Sequence, residues 1–261
     1  MNEINKTLFI PLYGKALVSR KRIILKDPAA ERIWEAEGFP IRGKARSKWL
    51  AYNMAMRARV FDSWTDRMLR RNEEALVLHI GCGLDSRYQR VRRPYRTWID
   101  CDLPDVIAVR KKYYTETENY HMRTLDASDP TQIESLPESE TAILVLEGIS
   151  MYLQNEQLHA FFGAMQSKYK KLFILMDIYT EFGARASKYG NPVNGVGVTQ
   201  LYGIDDIDSV IGGSDIRFFR EHSFTPAALI NHLKPTERAF FRLMFTGRLY
   251  GKIYRLIELR R

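Results

Sequence analysis

Apolar residues fall into short unbroken runs that alternate along the chain with stretches of helical periodicity. The runs have the length and composition of buried strands, and they lie at 75–80, 97–102, 121–126, 141–148 and 171–177. Repeated strand-helix units of this size predict an α/β fold with a doubly wound, mostly parallel sheet. In such sheets ligands bind at the carboxyl ends of the strands.

The chain before the first run is predicted to be helical. Residues 48–70 carry apolar side chains at helical spacing, and Asp27 followed by Pro28 is typical of a capped helix start. We therefore expect residues 1–72 to form an N-terminal helical cover over the core.

The C-terminal part of the chain is predicted to complete the sheet. Residues 215–224 and 253–259 alternate enough to form an antiparallel pair, which gives seven strands. The intervening segment 179–214 holds seven glycines and little periodicity, so we expect a lid or insertion there. The core then comprises 73–178 and 215–261 of a single domain.

Composition narrows the function classes. The chain of 261 residues has a formal charge of +9, but its Lys and Arg residues are scattered, which favours a solvated basic surface over nucleic-acid binding. No apolar run approaches the roughly eighteen residues of a membrane span. The N-terminus lacks the pattern of a secretory signal, and two cysteines in core segments suit a reducing compartment. We expect a cytoplasmic protein that acts on a small molecule, with no metal and no nucleic-acid or membrane partner.

A glycine turn follows the first predicted strand. Gly81 and Gly83 leave room for a cofactor to approach the backbone, but the third glycine of the dinucleotide pattern is missing. Asp85 would repel a diphosphate and would suit a cationic cofactor. The turn therefore favours S-adenosylmethionine over a dinucleotide.

Acidic residues follow the later strands. Asp100 or Asp102, about twenty residues after the glycines, can accept both ribose hydroxyls, although NAD would use such an acid equally well. Asp102 and Asp126 could instead cap the segments that follow them. Glu147 ends the most apolar strand, and since an unpaired buried carboxylate is costly, we expect a functional role there.

Four strings of the chain resemble the leucine carboxyl methyltransferase family, and most closely its tetracenomycin-type branch of polyketide-synthesis O-methyltransferases. They lie at 8–16, 78–87, 98–110 and 146–153. Ser86 departs from the pattern, in which threonine is usual. The resemblance implies a Rossmann-like class I methyltransferase sheet that binds S-adenosylmethionine.

The resemblance also implies roles for individual residues. Gly81 would meet the methionyl part of the cofactor and Asp102 the ribose, while Asp126 with Ala127 would meet the adenine and Glu147 would contact the cofactor across the sheet.

An arginine before the first strand should hold the cofactor carboxylate. Spacing to Asp62 favours Arg57, whereas the local string favours Arg59, and both stay open. Lys26 matches a lysine that contacts the cofactor in the protein-methylating branch, with a solvated lysine as the alternative.

Methyl transfer from a sulfonium is an in-line displacement that mainly requires alignment and exclusion of water. A carboxylate acceptor is already ionised at neutral pH and needs no base. Tyr152, Tyr13 and Arg20 are candidates for orienting it, whereas His79 is expected to belong to the core.

We therefore predict an S-adenosylmethionine-dependent O-methyltransferase that acts on a carboxylate or hydroxyl of a small, aromatic or polyketide-like metabolite. The alternatives are a nicotinamide-dependent oxidoreductase and a non-catalytic binding protein that retains the fold.

Overall fold

The computed structural model of the protein describes residues 7–41, 43–187 and 200–261. The strands are β1 (Leu76–Ile80), β2 (Thr97–Asp102), β3 (Tyr120–Thr124), β4 (Thr141–Leu146), β5 (Lys171–Tyr179), β6 (Arg217–His222) and β7 (Tyr254–Arg260). The helices are α1 (Phe9–Arg20), α2 (Pro28–Glu37), α3 (Lys48–Leu69), α4 (Arg87–Arg90), α5 (Pro104–Arg110), α6 (Asn155–Lys168), α7 (Glu181–Ser187), α8 (Asp208–Ile211), α9 (Ala227–Ile230), α10 (Pro235–Phe245) and α11 (Gly247–Gly251). Short 3-10 turns occupy Gly43–Arg46, Pro130–Ser135 and Ser150–Tyr152.

All seven strands form one sheet in the order β3-β2-β1-β4-β5-β7-β6. The first five strands are parallel, while β7 lies antiparallel between β5 and β6. The strand order reverses between β1 and β4, and at such a switch point the strand ends leave a crevice for a ligand. The predicted doubly wound, mostly parallel seven-stranded sheet is confirmed.

The N-terminal helices have the signals that the sequence predicted. Asp27 caps α2 by accepting from the backbone N–H of Ala30, Pro28 occupies the first turn, and Gly38 ends the helix in the left-handed region. Helix α3 buries one face that includes Phe61 and Trp64. These helices pack on each other and on the sheet through one continuous apolar cluster.

Several boundaries differ from the predictions. Strand β3 covers 120–124 rather than 121–126, because Asp126 turns back to bind Ser128 instead of continuing the ladder. Strand β5 continues to Tyr179 because β7 pairs with it to the end. The segment 179–214 contains α7 and α8 where little periodicity was seen, and residues 188–199 of the predicted lid lie outside the described residues.

Within the described ranges, no helix has the length and apolar character needed to cross a bilayer.

Candidate active site

A cavity of about 400 Å³ lies at the carboxyl ends of β1, β2 and β4. Helices α1 and α3 cover it from the N-terminal side, and the ends of β5 and β7 close it at the other end. Predicted residues that line it are Arg57, Gly81, Gly83, Asp85, Asp102, Asp126, Ala127, Glu147 and Tyr152. The fold therefore brings most of the predicted site together at the switch point of the sheet.

The floor of the cavity is made of glycines in a left-handed conformation. Gly81 has φ +67°, and a Cβ there would meet Cδ1 of Ile149 at 2.7 Å. Gly148, at the end of the neighbouring strand, has φ +73° and lies against the Arg57 guanidinium. Because side chains rarely adopt this φ and space is lacking, glycine is required at Gly81. Because both glycines line the cavity, a ligand there meets backbone rather than side chains where the two strand ends meet.

Asp102 ends β2 at the wall of the cavity. Its carboxylate accepts from the backbone N–H groups of Gly83 at 2.7 Å and Leu103 at 2.8 Å. Burial raises the pKa of this carboxyl to about 6, although the two backbone bonds oppose that shift. Asp102 thus stabilises the glycine turn and presents a carboxyl group to the cavity.

Asp126 and Ala127 line the far end of the cavity beyond β3. Asp126 accepts from the backbone N–H of Ser128 at 2.9 Å and from its hydroxyl at 2.7 Å. Asp126 therefore closes a local turn, whereas the cap of the following 3-10 turn is Asp129 and not Asp126 as the sequence alternative proposed.

Arg57 connects the helical cover to the sheet. Its Nε donates to Glu147 at 3.0 Å, and its Nη1 donates to Asp177 at 2.8 Å and to the Tyr254 hydroxyl at 2.6 Å. Its Nη2 lies nearest the position of a Cβ on Gly148, at 3.3 Å. A buried guanidinium held in this way is preorganised to bind a carboxylate beside the glycine floor.

Glu147 is held between two arginines at the end of β4. Besides the bond from Arg57, it accepts from Nη2 of Arg87. Burial opposes ionisation, but the two guanidinium groups lower the pKa of Glu147 to about 2. The carboxyl group is therefore ionised at any physiological pH and is a weak base.

Asp85 is surrounded by cations, which the sequence did not predict. Its carboxylate lies 2.6 Å from Nζ of Lys15, 2.8 Å from Nη1 of Arg90 and 3.5 Å from Nη2 of Arg87. Burial would raise its pKa, but these cations hold it well below the usual range. The charge of Asp85 is thus already compensated, so its predicted role in attracting a cationic cofactor is not supported by the structure.

The opposite end of the cavity is apolar and aromatic. Tyr152, Tyr179 and Tyr254 line it together with Leu50 and Met54 of α3. The rings of Tyr179 and Tyr254 stack with centroids 4.6 Å apart. Burial raises the pKa of Tyr152 to about 12, so its hydroxyl stays protonated and can donate. This end suits an aromatic or otherwise apolar ligand.

Arg59 and Lys26 lie outside this cavity, so the structure does not bring them together with the other predicted cofactor residues. Both line a separate surface groove beside Arg92. Two positions along a helix rotate the side chain by about 200°, so Arg59 leaves α3 on the opposite side from Arg57. Lys26 is exposed and precedes the helix cap Asp27.

Tyr13 and Arg20 do not reach the cavity either. Tyr13 faces the 3-10 turn, where its hydroxyl donates to the carbonyl of Arg46 at 3.4 Å and its ring packs on Trp34. Arg20 is exposed at the end of α1 and pairs with Glu35. Of the three residues predicted to orient the acceptor, only Tyr152 lies in the cavity wall.

Asp100 is a structural residue rather than a cofactor ligand. It lies two positions before the end of β2, where it is fully buried and accepts from Arg110, Tyr120 and Trp98. Asp100 and Asp102 point to the same face of the sheet, but Asp100 lies farther from the strand end and is therefore buried in the core below the cavity.

His79 is a core residue, as predicted. It is buried between Arg87, 3.1 Å from Nε2, and Asp100, 3.2 Å from Nδ1. Burial, followed by the charge of Arg87, lowers its pKa, so the ring is neutral.

The sequence did not predict three residues that line the cavity or support its wall, namely Lys15, Asp177 and Tyr254. Lys15 follows Leu8 and Leu12 on one face of α1, and a lysine on an apolar stripe could have indicated a buried ion pair. Asp177 is a carboxylate within the apolar strand β5, which is the same signal that indicated Glu147 after β4. It accepts from the backbone N–H of Gly148 at 2.6 Å. Tyr254 carries no signal beyond strand alternation.

Comparison with known proteins gives the family. A model of the leucine carboxyl methyltransferase family matches residues 3–166. The tetracenomycin polyketide synthesis O-methyltransferase TcmP of Streptomyces glaucescens is 28% identical over 241 residues, which cover 90% of this chain and 88% of that protein.

Solved structures share the fold. A SAM-dependent methyltransferase from Anabaena variabilis superposes with a TM-score of 0.55 at 15% identity, covering 89% of this chain and 93% of the other. Magnesium protoporphyrin IX methyltransferase from Synechocystis, solved with bound SAH, gives a TM-score of 0.53 at 13% identity, covering 88% and 93%. The chain belongs to the leucine carboxyl methyltransferase family, and the predicted class I fold and S-adenosylmethionine cofactor are confirmed.

Proposed function

We propose that this methyltransferase transfers the methyl group to a carboxylate of a small aromatic or polyketide-like metabolite. The Streptomyces relative is a polyketide-synthesis O-methyltransferase, and its similarity spans most of the chain. The apolar, tyrosine-lined end of the cavity supports an aromatic acceptor in this chain.

The observation that carries the proposal is that each carboxylate of the described cavity wall is either held by cations or lies away from the tyrosine-lined end. Asp85 faces three cations, and Glu147 faces two arginines that lower its pKa to about 2. Asp102 and Asp126 follow β2 and β3, where they accept from backbone N–H groups, away from the tyrosines of β5 and β7. His79 also lines the cavity, but burial and the neighbouring charge of Arg87 lower its pKa, which makes it a poor proton acceptor. Such a wall suits an acceptor that is already ionised, as a carboxylate is.

The acceptor can be oriented without proton transfer. The Tyr152 hydroxyl, with a pKa near 12, remains a hydrogen-bond donor at neutral pH. The aromatic wall of Tyr179 and Tyr254 excludes water from the reacting oxygen, which removes hydration that would weaken a carboxylate nucleophile. We infer that Tyr152 binds one oxygen of the acceptor while the other faces the methyl group.

The residues present fit S-adenosylmethionine, which supplies an electrophilic methyl group on a sulfonium. Gly81 and Gly148 line the cavity without side chains, and Nη2 of Arg57 lies beside Gly148, where it would bind the methionyl carboxylate. Asp102 would accept from the ribose hydroxyls, and Asp126 with Ala127 would contact the adenine. Glu147 would act through Arg57, whose guanidinium it fixes.

Incubation with methyl-labelled S-adenosylmethionine and matched pairs of aromatic carboxylic acids and phenols tests the acceptor class. A methyl ester releases volatile labelled methanol in mild alkali, whereas a methyl ether keeps its label. We expect labelled product from the acids, fully released by alkali, at a rate that changes little between neutral and mildly alkaline pH. Alkali-stable product formed from the phenols, at a rate that rises with pH, would contradict the carboxylate proposal. Absence of transfer to any acceptor in a metabolite extract would favour the non-catalytic alternative.

A further inference from the structure

Helices α10 and α11 carry large apolar side chains that point into solvent. Leu243 is 79% exposed and Leu249 78%, while Met244 and Phe240 are 53% and 43% exposed. Phe240, Leu243 and Met244 share one face of α10, because they are spaced by three and four residues. We call these four side chains the α10–α11 surface. Exposed apolar groups clustered in this way indicate an interaction site.

The inner face of the same helix is already anchored, so the exposed face is not a misplaced core. Phe241 is fully buried and stacks on Phe245 with centroids 4.9 Å apart. Phe245 in turn contacts the ring of Tyr250 in α11. The helix therefore has one apolar face packed on the protein and a second apolar face that is largely exposed.

Cations surround the α10–α11 surface. Between Lys234 and Lys252 the chain has five Lys or Arg residues and one carboxylate, Glu237. That carboxylate is paired with Lys48 at 2.8 Å. The guanidinium of Arg238 binds carbonyls at the end of α9. The exposed cations Lys234, Arg242, Arg248 and Lys252 have no carboxylate partner among the residues that the structure describes.

A tryptophan extends the surface toward the active-site cavity. The Trp49 ring lies 4.5 Å from the Phe240 ring, and Nζ of Lys48 lies 4.5 Å above the Trp49 ring. Leu50 and Met54, on the same helix as Trp49, line the cavity. The α10–α11 surface therefore rests on the helix whose other side forms the acceptor end.

We propose that the α10–α11 surface docks the protein on an anionic lipid bilayer. Projecting leucines, an adjacent tryptophan and a rim of lysine and arginine are the combination that binds the interfacial region of membranes. A second copy of the chain fits less well, because a symmetric contact would bring the same cations together. This proposal departs from the expectation from the sequence that no membrane is a partner. Docking would deliver an apolar acceptor close to the cavity, and it does not depend on the acceptor class.

Cosedimentation of the full chain with vesicles tests this proposal. We expect binding to phosphatidylcholine vesicles that contain phosphatidylglycerol, weaker binding to phosphatidylcholine alone, and release by salt. Leu243→Glu combined with Leu249→Glu should lower the bound fraction by about tenfold. Arg242→Gln combined with Arg248→Gln should remove the preference for the anionic vesicles. A matched control, Phe182→Glu with Phe218→Glu, adds the same charge at exposed residues elsewhere and should bind like the wild type.

Three results would overturn the proposal. The wild-type protein could bind anionic vesicles no more than vesicles of phosphatidylcholine alone, which would favour an acidic protein as the partner of this surface. The control could lose binding as fully as the leucine variant. Sedimentation velocity could show a wild-type dimer that the leucine variant dissociates, which would make this surface a contact between copies. Unchanged melting temperatures of the variants establish that folding is intact in each comparison.

Discussion

Nε of Arg57 donates to Oε1 of Glu147 across 3.0 Å, which joins α3 of the N-terminal cover to the end of β4. Both side chains are buried. The guanidinium also binds Asp177 and the Tyr254 hydroxyl, so it links β4, β5 and β7 at the cavity floor. The pair therefore couples the position of the cover to the shape of the cofactor site.

Arg57 should therefore matter for both binding and stability. Arg57→Met leaves Asp177 without a buried cation and leaves Glu147 with Arg87 alone, and breaking such a buried pair costs about 3–5 kcal/mol of unfolding free energy. If Arg57 holds the methionyl carboxylate, the variant should lose affinity for S-adenosylhomocysteine but not for 5′-methylthioadenosine, which lacks that part. Calorimetry with both ligands measures the difference.

Arg59→Met is the matched control, since Arg59 lies on the opposite side of the same helix in a separate groove. Its affinity for both ligands and its unfolding free energy should equal those of the wild type. A larger loss of cofactor affinity in Arg59→Met than in Arg57→Met would show that Arg59, and not Arg57, binds the cofactor carboxylate.

The choice between Arg57 and Arg59 shows what the sequence could not decide. Helical periodicity predicted α3, but placing one arginine in the cavity requires the rotation of α3 about its axis, which depends on tertiary packing. By contrast, the predicted strands and their acids needed only local pattern, because parallel strands of an open sheet end at the same edge. Asp102 and Glu147 were found in this way.

Long-range pairing explains the other failures. Asp85 was predicted to be an uncompensated anion, because its partners Lys15 and Arg90 lie 70 residues before it and five after it, with no local pattern joining them. Asp100 and Asp102 have the same local character, and only their depth in the sheet separates a core ion pair from a cavity carboxyl group.

Cofactor binding should depend on the protonation of Asp102. Its pKa is raised to about 6 in the free protein, and hydrogen bonds donated by ribose hydroxyls favour the ionised form. Affinity for S-adenosylhomocysteine should therefore increase as pH rises through 6, with about tenfold weaker binding at pH 5 than at pH 8. Calorimetric titrations across this range measure the dependence.

Asp102→Asn should bind the cofactor product more weakly and with little change between these pH values. In the wild type, the contribution of Asp102 to the free energy of unfolding should change with pH in the opposite direction to cofactor affinity. Its raised pKa favours the protonated carboxyl group in the native state, so this contribution is lost as pH rises through 6. A wild-type affinity that is flat with pH, or an unchanged dissociation constant for Asp102→Asn, would remove Asp102 from the cofactor site.

The effect of adding one methyl group should differ between the glycines Gly81 and Gly83 of the cavity wall. Gly81→Ala and Gly83→Ala both place a side chain at positive φ, which costs about 1–2 kcal/mol. Only at Gly81 does the new Cβ also meet Ile149, at 2.7 Å, whereas at Gly83 the nearest atom is 3.5 Å away. We expect Gly81→Ala to be less stable by a further 1–3 kcal/mol or so and to bind the cofactor more weakly.

Urea unfolding of the two alanine variants measures this difference. Ile149→Ala introduced beside Gly81→Ala should restore part of the loss, because it removes the atom at 2.7 Å. Equal destabilisation at the two glycines would show that backbone conformation, and not contact with Ile149, determines the cost.

Glu147 should make the fold sensitive to acid. Its pKa falls from 4.5 to about 2 on folding, so its charged form stabilises the native state above pH 4.5. This contribution, of the order of 3 kcal/mol, is lost as pH falls toward 2. Urea unfolding at pH 7 and at several values below 4.5 should show the decline, and Glu147→Gln should be less stable at pH 7 with a shallower decline. An equally steep decline in that variant would assign the acid sensitivity to other carboxylates.

Calorimetric titration with S-adenosylhomocysteine, with NADH as the comparison ligand, tests the central claim most directly. We expect one binding site with a dissociation constant near the micromolar range, about −8 kcal/mol, and no measurable binding of NADH. Binding of NADH without binding of S-adenosylhomocysteine would contradict the assignment of this cavity to S-adenosylmethionine.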